Sequence, residues 1–390
     1  MVVVASSARM LAEAARRDGL RPVALDLFGD LDTRRVAHWI SIRSADGPGF
    51  DAKRMQAALA RLAKRRGVLG WVAGGGLEDR LDLLEECAHV LPLIGNDVRT
   101  IAAIKDPDRF FPMLAQHAIP HPETRVTRPS SAAGWLSKAV GGTGGWHVRR
   151  VARVASAQAA RPPATKPARR KARGPALYYQ REAPGIPMSA LFLADGEDVL
   201  VIGFNRLLVA ARGVRPFVFQ GAIGPVGLAQ QAEAEATLAA REITRHAGLV
   251  GLNSLDFLLD GSRVSVLEVN PRPSATIDLY PDRIAGGLMK AHLDACLQRS
   301  MPRVALRHTS PVRGFRIVYA HRRLLAGAPG RLSLQATAWC HDIGPAGTWS
   351  GRGEPLCTVS AYAGSADEVI ARLAQRACDA QRMHEEENGI

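Results

Sequence analysis

Apolar and polar positions along the first ninety residues follow two different periods. Val2, Val3 and Val4 form a short unbroken apolar run, and Met10, Leu11, Ala14 and Ala15 then recur at helical spacing. After Gly19 the stretch PVALDLF is apolar again. Short apolar runs alternating with helical stretches predict parallel strands covered by helices, an open α/β sheet. The same reading predicts a helix over 53–66, a strand at VLGWVAG and a helix over 78–89, with the unit closing near Gly95.

Residues 96–123 predict helix, with Ile101, Ile104, Phe110, Phe111 and Leu114 as the apolar stripe and Pro120 and Pro122 as its stop. WLSKAV predicts a short strand running into GGTGG. The stretch 155–174 is rich in Ala, Pro and Arg and poor in apolar residues, which predicts a disordered loop. ALFLADG and VLVIGFNRLLVA predict an antiparallel pair turning at 195–198, followed by a helix over 228–248. LNSLDFLLDGSRVSVLEVNP reads as a hairpin turning at Asp260 and Gly261. A helix over 284–299, strand-like runs from about 310 and a last helix over 367–383 complete the pattern.

Composition narrows the function classes. No apolar stretch reaches the length of a membrane span, and the N-terminus lacks the basic n-region and long apolar core of a secretory signal. The five cysteines are scattered with no C-x-x-C pair, as expected of reduced thiols in a cytoplasmic protein. The net charge of +14 suggests a polyanion partner until it is located: 149–173 holds nine Lys or Arg and no acid, leaving +5 for the rest. The charge belongs to one segment without interleaved aromatics, so a nucleic-acid-binding role is disfavoured.

Two motifs carry candidate chemistry. Within the hairpin, Glu268 and Asn270 are two apart and share a strand face, and pairing can bring Asp256 opposite them. Two carboxylates and an amide oxygen make a hard donor set suited to Mg²⁺, with Mn²⁺ as the alternative ion. The other motif is Lys138 followed by Gly141, Gly142, Thr143, Gly144 and Gly145, a loop whose backbone amides can approach phosphate oxygens closely. It is neither a Rossmann fingerprint nor a Walker loop. A dinucleotide-binding oxidoreductase is further disfavoured because VASSAR, at the first strand–helix turn, contains no glycine.

The order and separation of these motifs resemble the ATP-grasp superfamily. Lys138 with GGTGG resembles its phosphate-covering lid, YYQREAPGIPMS its adenine-binding hinge, and DFLL with LEVNPRPS its magnesium-binding hairpin. The tail GEPLCTVSAYAGSADEVIARL is similar to the C-terminal segment of biotin carboxylase. The resemblance implies an α/β ATP-grasp fold with a Rossmann-like pre-ATP-grasp domain at 1–95. Residues 96–182 would form the N-terminal half with the lid, 183–300 the C-terminal half, and 301–390 a small β-rich domain.

It also implies site roles. ATP and Mg²⁺ would be the cofactors, with Asp256, Glu268 and Asn270 as metal ligands. Lys105 and Lys138 would contact the α- and β-phosphates, and Gly142, Thr143 and Gly144 would close over the γ-phosphate. Gln180, Arg181, Glu182 and Ala183 would run along the adenine. Ser254 stands where many members place an arginine, which leaves Arg272, and more weakly Arg206, to face the reacting carboxylate. His147 is read as structural ahead of catalytic. The implied activity joins a small-molecule carboxylate to an amine through an acyl phosphate, with a homodimer as the candidate assembly. ATP-grasp carboxylation is the alternative, and a nucleotide-binding protein without ligase activity the remote one. The arrangement is similar to the tyramine–glutamate ligases of methanofuran-type cofactor synthesis, which implies a glutamate side-chain acid and tyrosine or tyramine lying against Leu279 and Tyr280.

Overall fold

The computed structural model describes residues 1–45, 47, 49–152, 176–302, 306–307, 311–326 and 337–388. The basic segment expected to be disordered lies outside the described residues.

The N-terminal unit alternates strand and helix as its periodicity predicts: β1 (Val2–Val4), α1 (Arg9–Arg17), β2 (Val23–Asp26), α2 (Leu31–Val36), β3 (His38–Ser41), α3 (Ala52–Ala63), β4 (Trp71–Ala73) and α4 (Leu81–Val90). Its sheet is parallel in the order β3-β2-β1-β4. Val2 and Val4 pack into one core and Val3 into another, so both faces of β1 are covered and the run is apolar throughout. α4 starts later than the 78–89 expectation because Glu78 is held in the preceding turn, its carboxylate accepting from the Gly76 amide.

Two short helices, α5 (Val98–Lys105) and α6 (Pro107–Gln116), lead to a four-stranded antiparallel sheet of β5 (Thr124–Arg125), β6 (Trp135–Ala139), β7 (Arg149–Arg150) and β8 (Leu177–Arg181). Next come β9 (Ile186–Asp195), β10 (Val199–Arg212), β11 (Arg215–Gly224), α7 (Gln230–Ala247), β12 (Val250–Asp260) and β13 (Arg263–Asn270). A 3-10 turn (Ala275–Leu279) precedes α8 (Leu288–Gln298), which begins after Gly286 and Gly287, both at positive φ, rather than at Ile284.

The tail supplies β14 (Val312–Tyr319), β15 (Leu324–Leu325), β16 (Cys340–His341), β17 (Trp349–Ser350), β18 (Pro355–Ala363) and α9 (Ala366–Glu387). Strands β14, β18 and β16 extend the sheet that carries the hairpin, in the order β13-β12-β9-β10-β11-β14-β18-β16. Alternation along β9 shows why ALFLA has no polar position. Leu191 and Leu193 pack toward α1 and α8, while Ala190, Phe192 and Ala194 pack toward α6 and α7.

An ionic junction ties the two ends of the chain together. Arg9 on α1 is fully buried, and its Nε donates to Asp342 Oδ1 at 2.7 Å while Nη1 meets Glu13 at 2.9 Å. Asp30 caps α2, accepting from the Thr33 amide and hydroxyl, both at 2.8 Å. Burial, reinforced by the charge of Asp342, pushes the Asp30 carboxyl up to about 7. A raised acid pKa means that the folded state holds the proton more tightly than the unfolded one. That contribution to stability is complete below about pH 4 and is lost as pH rises through about 7. Asp30→Asn should therefore come nearest to the wild type at pH 4 and be more stable than it at pH 8, by on the order of 1 kcal/mol or more. Denaturant melts at the two pH values test this, and an equal effect at both would exclude it.

Candidate active site

A cleft of about 530 Å³ opens between the N-terminal unit, the lid sheet β5–β8 and the central sheet. Register places the hairpin residues on its floor. Asp256 pairs with Glu268, and Ser254 with Asn270. A bulge follows Asp256, so that Phe257 pairs with Val266 and Leu267 is the extra residue. Val264, Val266 and Val269 consequently all reach the core, while Leu267, Glu268 and Asn270 line the cleft.

Polar contacts then draw the expected residues together. Lys105, at the end of α5, donates to Glu268 Oε2 at 3.0 Å and to Asn270 Oδ1 at 3.3 Å. Asn270 Nδ2 donates to Asp256 Oδ2 at 3.2 Å. Lys138, on β6, donates to Gln180 Oε1 at 2.6 Å, and Gln180 Nε2 in turn meets Thr124 Oγ1 at 3.2 Å. The buried Gln180 side chain is thus engaged by the lysine rather than turned freely to the cleft.

Charge balance in this group is tight. Burial and the neighbouring charge of Glu268 push the Asp256 carboxyl up to about 7. Burial would also raise Glu268, but Lys105 and Lys138 hold it below the usual carboxylate range. Burial lowers the Lys138 ammonium, against the pull of Glu268 and Asp256. Two opposed carboxylates and an amide oxygen, one acid kept from ionising by the other, suit a shared hard cation. Asp256, Glu268 and Asn270 therefore fit Mg²⁺.

The glycine loop lies on β11. Phe219 N donates to Gly144 O at 3.0 Å, and a methyl group at Gly145 (φ 74°) would stand 1.8 Å from Phe217 O, so only glycine permits this approach. Arg215 Nε donates to Trp146 O at 2.8 Å. Thr143 and Gly144 line the cleft; Gly142 packs against the His147 ring. His147 also lines the cleft, and its Nδ1 has no hydrogen-bond partner among the described residues. Burial lowers its pKa, favouring the neutral ring.

Along the hinge, Arg181, Glu182 and Ala183 face the cleft beside Gln180. Arg181 stacks over Trp135, and Glu182 is held in a two-pronged pair with Arg150 at 3.0 and 2.6 Å. Arg272 lines the opposite end, its Nε donating to Glu78 Oε1 at 2.6 Å. Arg206 is exposed on β10 and is not among the cleft-lining residues.

Leu279 and Tyr280 differ from the expectation. Both are buried in the core, and the Tyr280 hydroxyl donates to Asn205 Oδ1 at 2.7 Å, so neither offers a face to an amine. Phe217, Phe219 and Phe315 form the aromatic wall instead. Sequence reasoning also missed Glu78, and Asn96, whose side chain donates to Asn253 and the Pro271 carbonyl and so fixes the turn carrying Arg272.

Comparison with known proteins bears on the fold. Over 228 residues the chain is 25% identical to the carbamoyl phosphate synthase large chain of Pseudomonas putida, covering 56% of this chain but only 21% of that protein. A biotin carboxylase of Campylobacter jejuni, solved as a β,γ-ATP complex, superposes with a TM-score of 0.69 at 14% identity, covering 98% of this chain and 94% of that one. An L-amino acid ligase of Bacillus licheniformis gives 0.69 at 13% identity over 97% of each chain. At such identities the structural likeness is one of fold. The ATP-grasp domain family model matches residues 105–276, which span Lys105, the lid, the hinge and the carboxylate hairpin. The chain therefore carries an ATP-grasp domain, set in a biotin-carboxylase-like fold.

Proposed function

We propose that the chain is an ATP- and Mg²⁺-dependent ligase joining a carboxylate to an amine. The observation that carries this reading is the convergence of Lys138, Asp256, Glu268, Asn270 and Arg272 on one cleft beneath a glycine-rich lid, with Lys105 bonded to Glu268 and Asn270. A carboxylate oxygen of the acid attacks the γ-phosphorus of ATP, forming an acyl phosphate and releasing ADP. The amine nitrogen then adds to the acyl carbon and displaces phosphate, giving an amide.

Each group has a part in positioning and charge compensation. Lys105 and Lys138 hold the phosphates, Gly142, Thr143 and Gly144 exclude water above them, and residues 180–183 carry the adenine. Arg272 orients the acid. When bound to Asp256, Glu268 and Asn270, Mg²⁺ offsets the charge of the phosphate oxygens. The pair that best fits the sequence resemblance is glutamate with tyrosine or tyramine, in synthesis of a methylofuran-type one-carbon cofactor, the amine lying against Phe217, Phe219 and Phe315.

Incubation with ATP, Mg²⁺, glutamate and either amine should yield ADP and a γ-glutamyl amide detectable by mass spectrometry. ADP release with bicarbonate alone would mark a carboxylase instead, and release only with another acid would overturn the named substrates.

A further inference from the structure

Arg272 is not free to choose its orientation, and its holder comes from another part of the chain. Glu78 sits in the turn between β4 and α4 and is 5% exposed. Both of its carboxylate oxygens are engaged: Oε1 accepts from Arg272 Nε at 2.6 Å and Oε2 from the Gly76 amide at 2.7 Å. Burial would raise this carboxyl, but Arg272 and Lys105 keep it ionised. With Nε taken, Nη1 donates to the Pro273 carbonyl at 3.3 Å, and Nη2 lies over Gly75, at the cleft wall. The same turn also meets the lid, since a methyl group at Gly141 would stand 3.0 Å from the Glu78 carbonyl oxygen.

We infer that Glu78 is a positioning residue: it fixes Arg272 by one edge so that the remaining guanidinium N–H groups present a preset site for the oxyanion of the acid substrate, a carboxylate or bicarbonate. The inference rests on the ligase reading for the identity of the anion, but the orientation of Arg272 is a property of this pair alone. A carboxylate on a stem one methylene shorter, or a neutral amide, cannot hold the fork in the same place.

The test uses the full chain with Glu78→Gln and Glu78→Asp, the latter keeping the charge should the amide fold poorly. Three quantities are measured: ATP affinity by calorimetry, the concentration dependence of ADP release on glutamate with tyramine and on bicarbonate, and the rate at which phenylglyoxal modifies Arg272, read by peptide mass spectrometry. In Glu78→Gln, KM for the acid should rise about ten- to a hundredfold, from misplacement of the orienting group, while ATP affinity stays within about twofold. Arg272 should be modified faster than in the wild type, and Glu78→Asp should fall between. Unchanged KM together with an unchanged modification rate overturns the inference. If the wild type releases no ADP with either acid, the ligase reading fails for those acids, and the phenylglyoxal rates still decide whether Glu78 holds Arg272.

Discussion

Replacing Glu268 with alanine is expected to reduce Mg²⁺-dependent ADP formation by about 10³-fold, equivalent to ~4 kcal/mol of barrier, while the chain remains folded. Glu268 faces Asp256 across the hairpin and binds Lys105 at 3.0 Å, so its removal takes away one of two candidate metal carboxylates and the anchor of a candidate phosphate-contacting lysine. Stability should survive for a physical reason. Its side chain is 35% exposed, and its loss also relieves the charge that keeps Asp256 from ionising. An ADP assay over a range of Mg²⁺ concentrations, paired with a thermal melt, gives the answer. Full turnover at ordinary Mg²⁺ would remove Glu268 from the site.

Lys138→Ala should weaken ATP binding by ~1.5–3 kcal/mol, the range for a hydrogen bond to a charged group. The ammonium is already drawn to the Gln180 oxygen, and burial makes the charged form costly unless anions lie close by. A nucleotide phosphate supplies that charge, whereas alanine leaves both the phosphate and Gln180 Oε1 without their donor. Calorimetric titration with ATP reads the change directly, and unaltered affinity would show that Lys138 does not reach the nucleotide.

The parts of the site that the sequence discloses are those governed by local periodicity. Asp256, Glu268 and Asn270 are legible because strand alternation dictates which side chains share a face, and the Asp260–Gly261 turn sets their register. The bulge that frees Leu267 is not legible, since VSVLEVN reads equally well as an unbroken strand. β11 escapes notice because Pro216 and Gly221 interrupt its apolar pattern, although Pro216 lies outside the stretch that pairs with β14 and Gly221 sits beside a bulge in the pairing with β10. Glu78 and Arg272 lie 194 residues apart, and no local rule relates them. Leu279 and Tyr280 look like a substrate-facing pair beside a motif, yet the 3-10 turn rotates them into the core. Local chemistry names the ligands; the long-range packing that aims them has no short signature.

The place of β14 has a consequence for synthesis on the ribosome. β11 carries the floor beneath the lid, and its outer edge is satisfied only by a strand that begins at Val312, roughly 90 residues later. At about 5–20 residues per second, the nascent chain holds that edge open for on the order of ten seconds after β11 has emerged. An unpaired, largely apolar edge recruits other strands. The final stretch of the chain thus does for the sheet what a chaperone's donated strand does elsewhere, and it does so from within the same polypeptide.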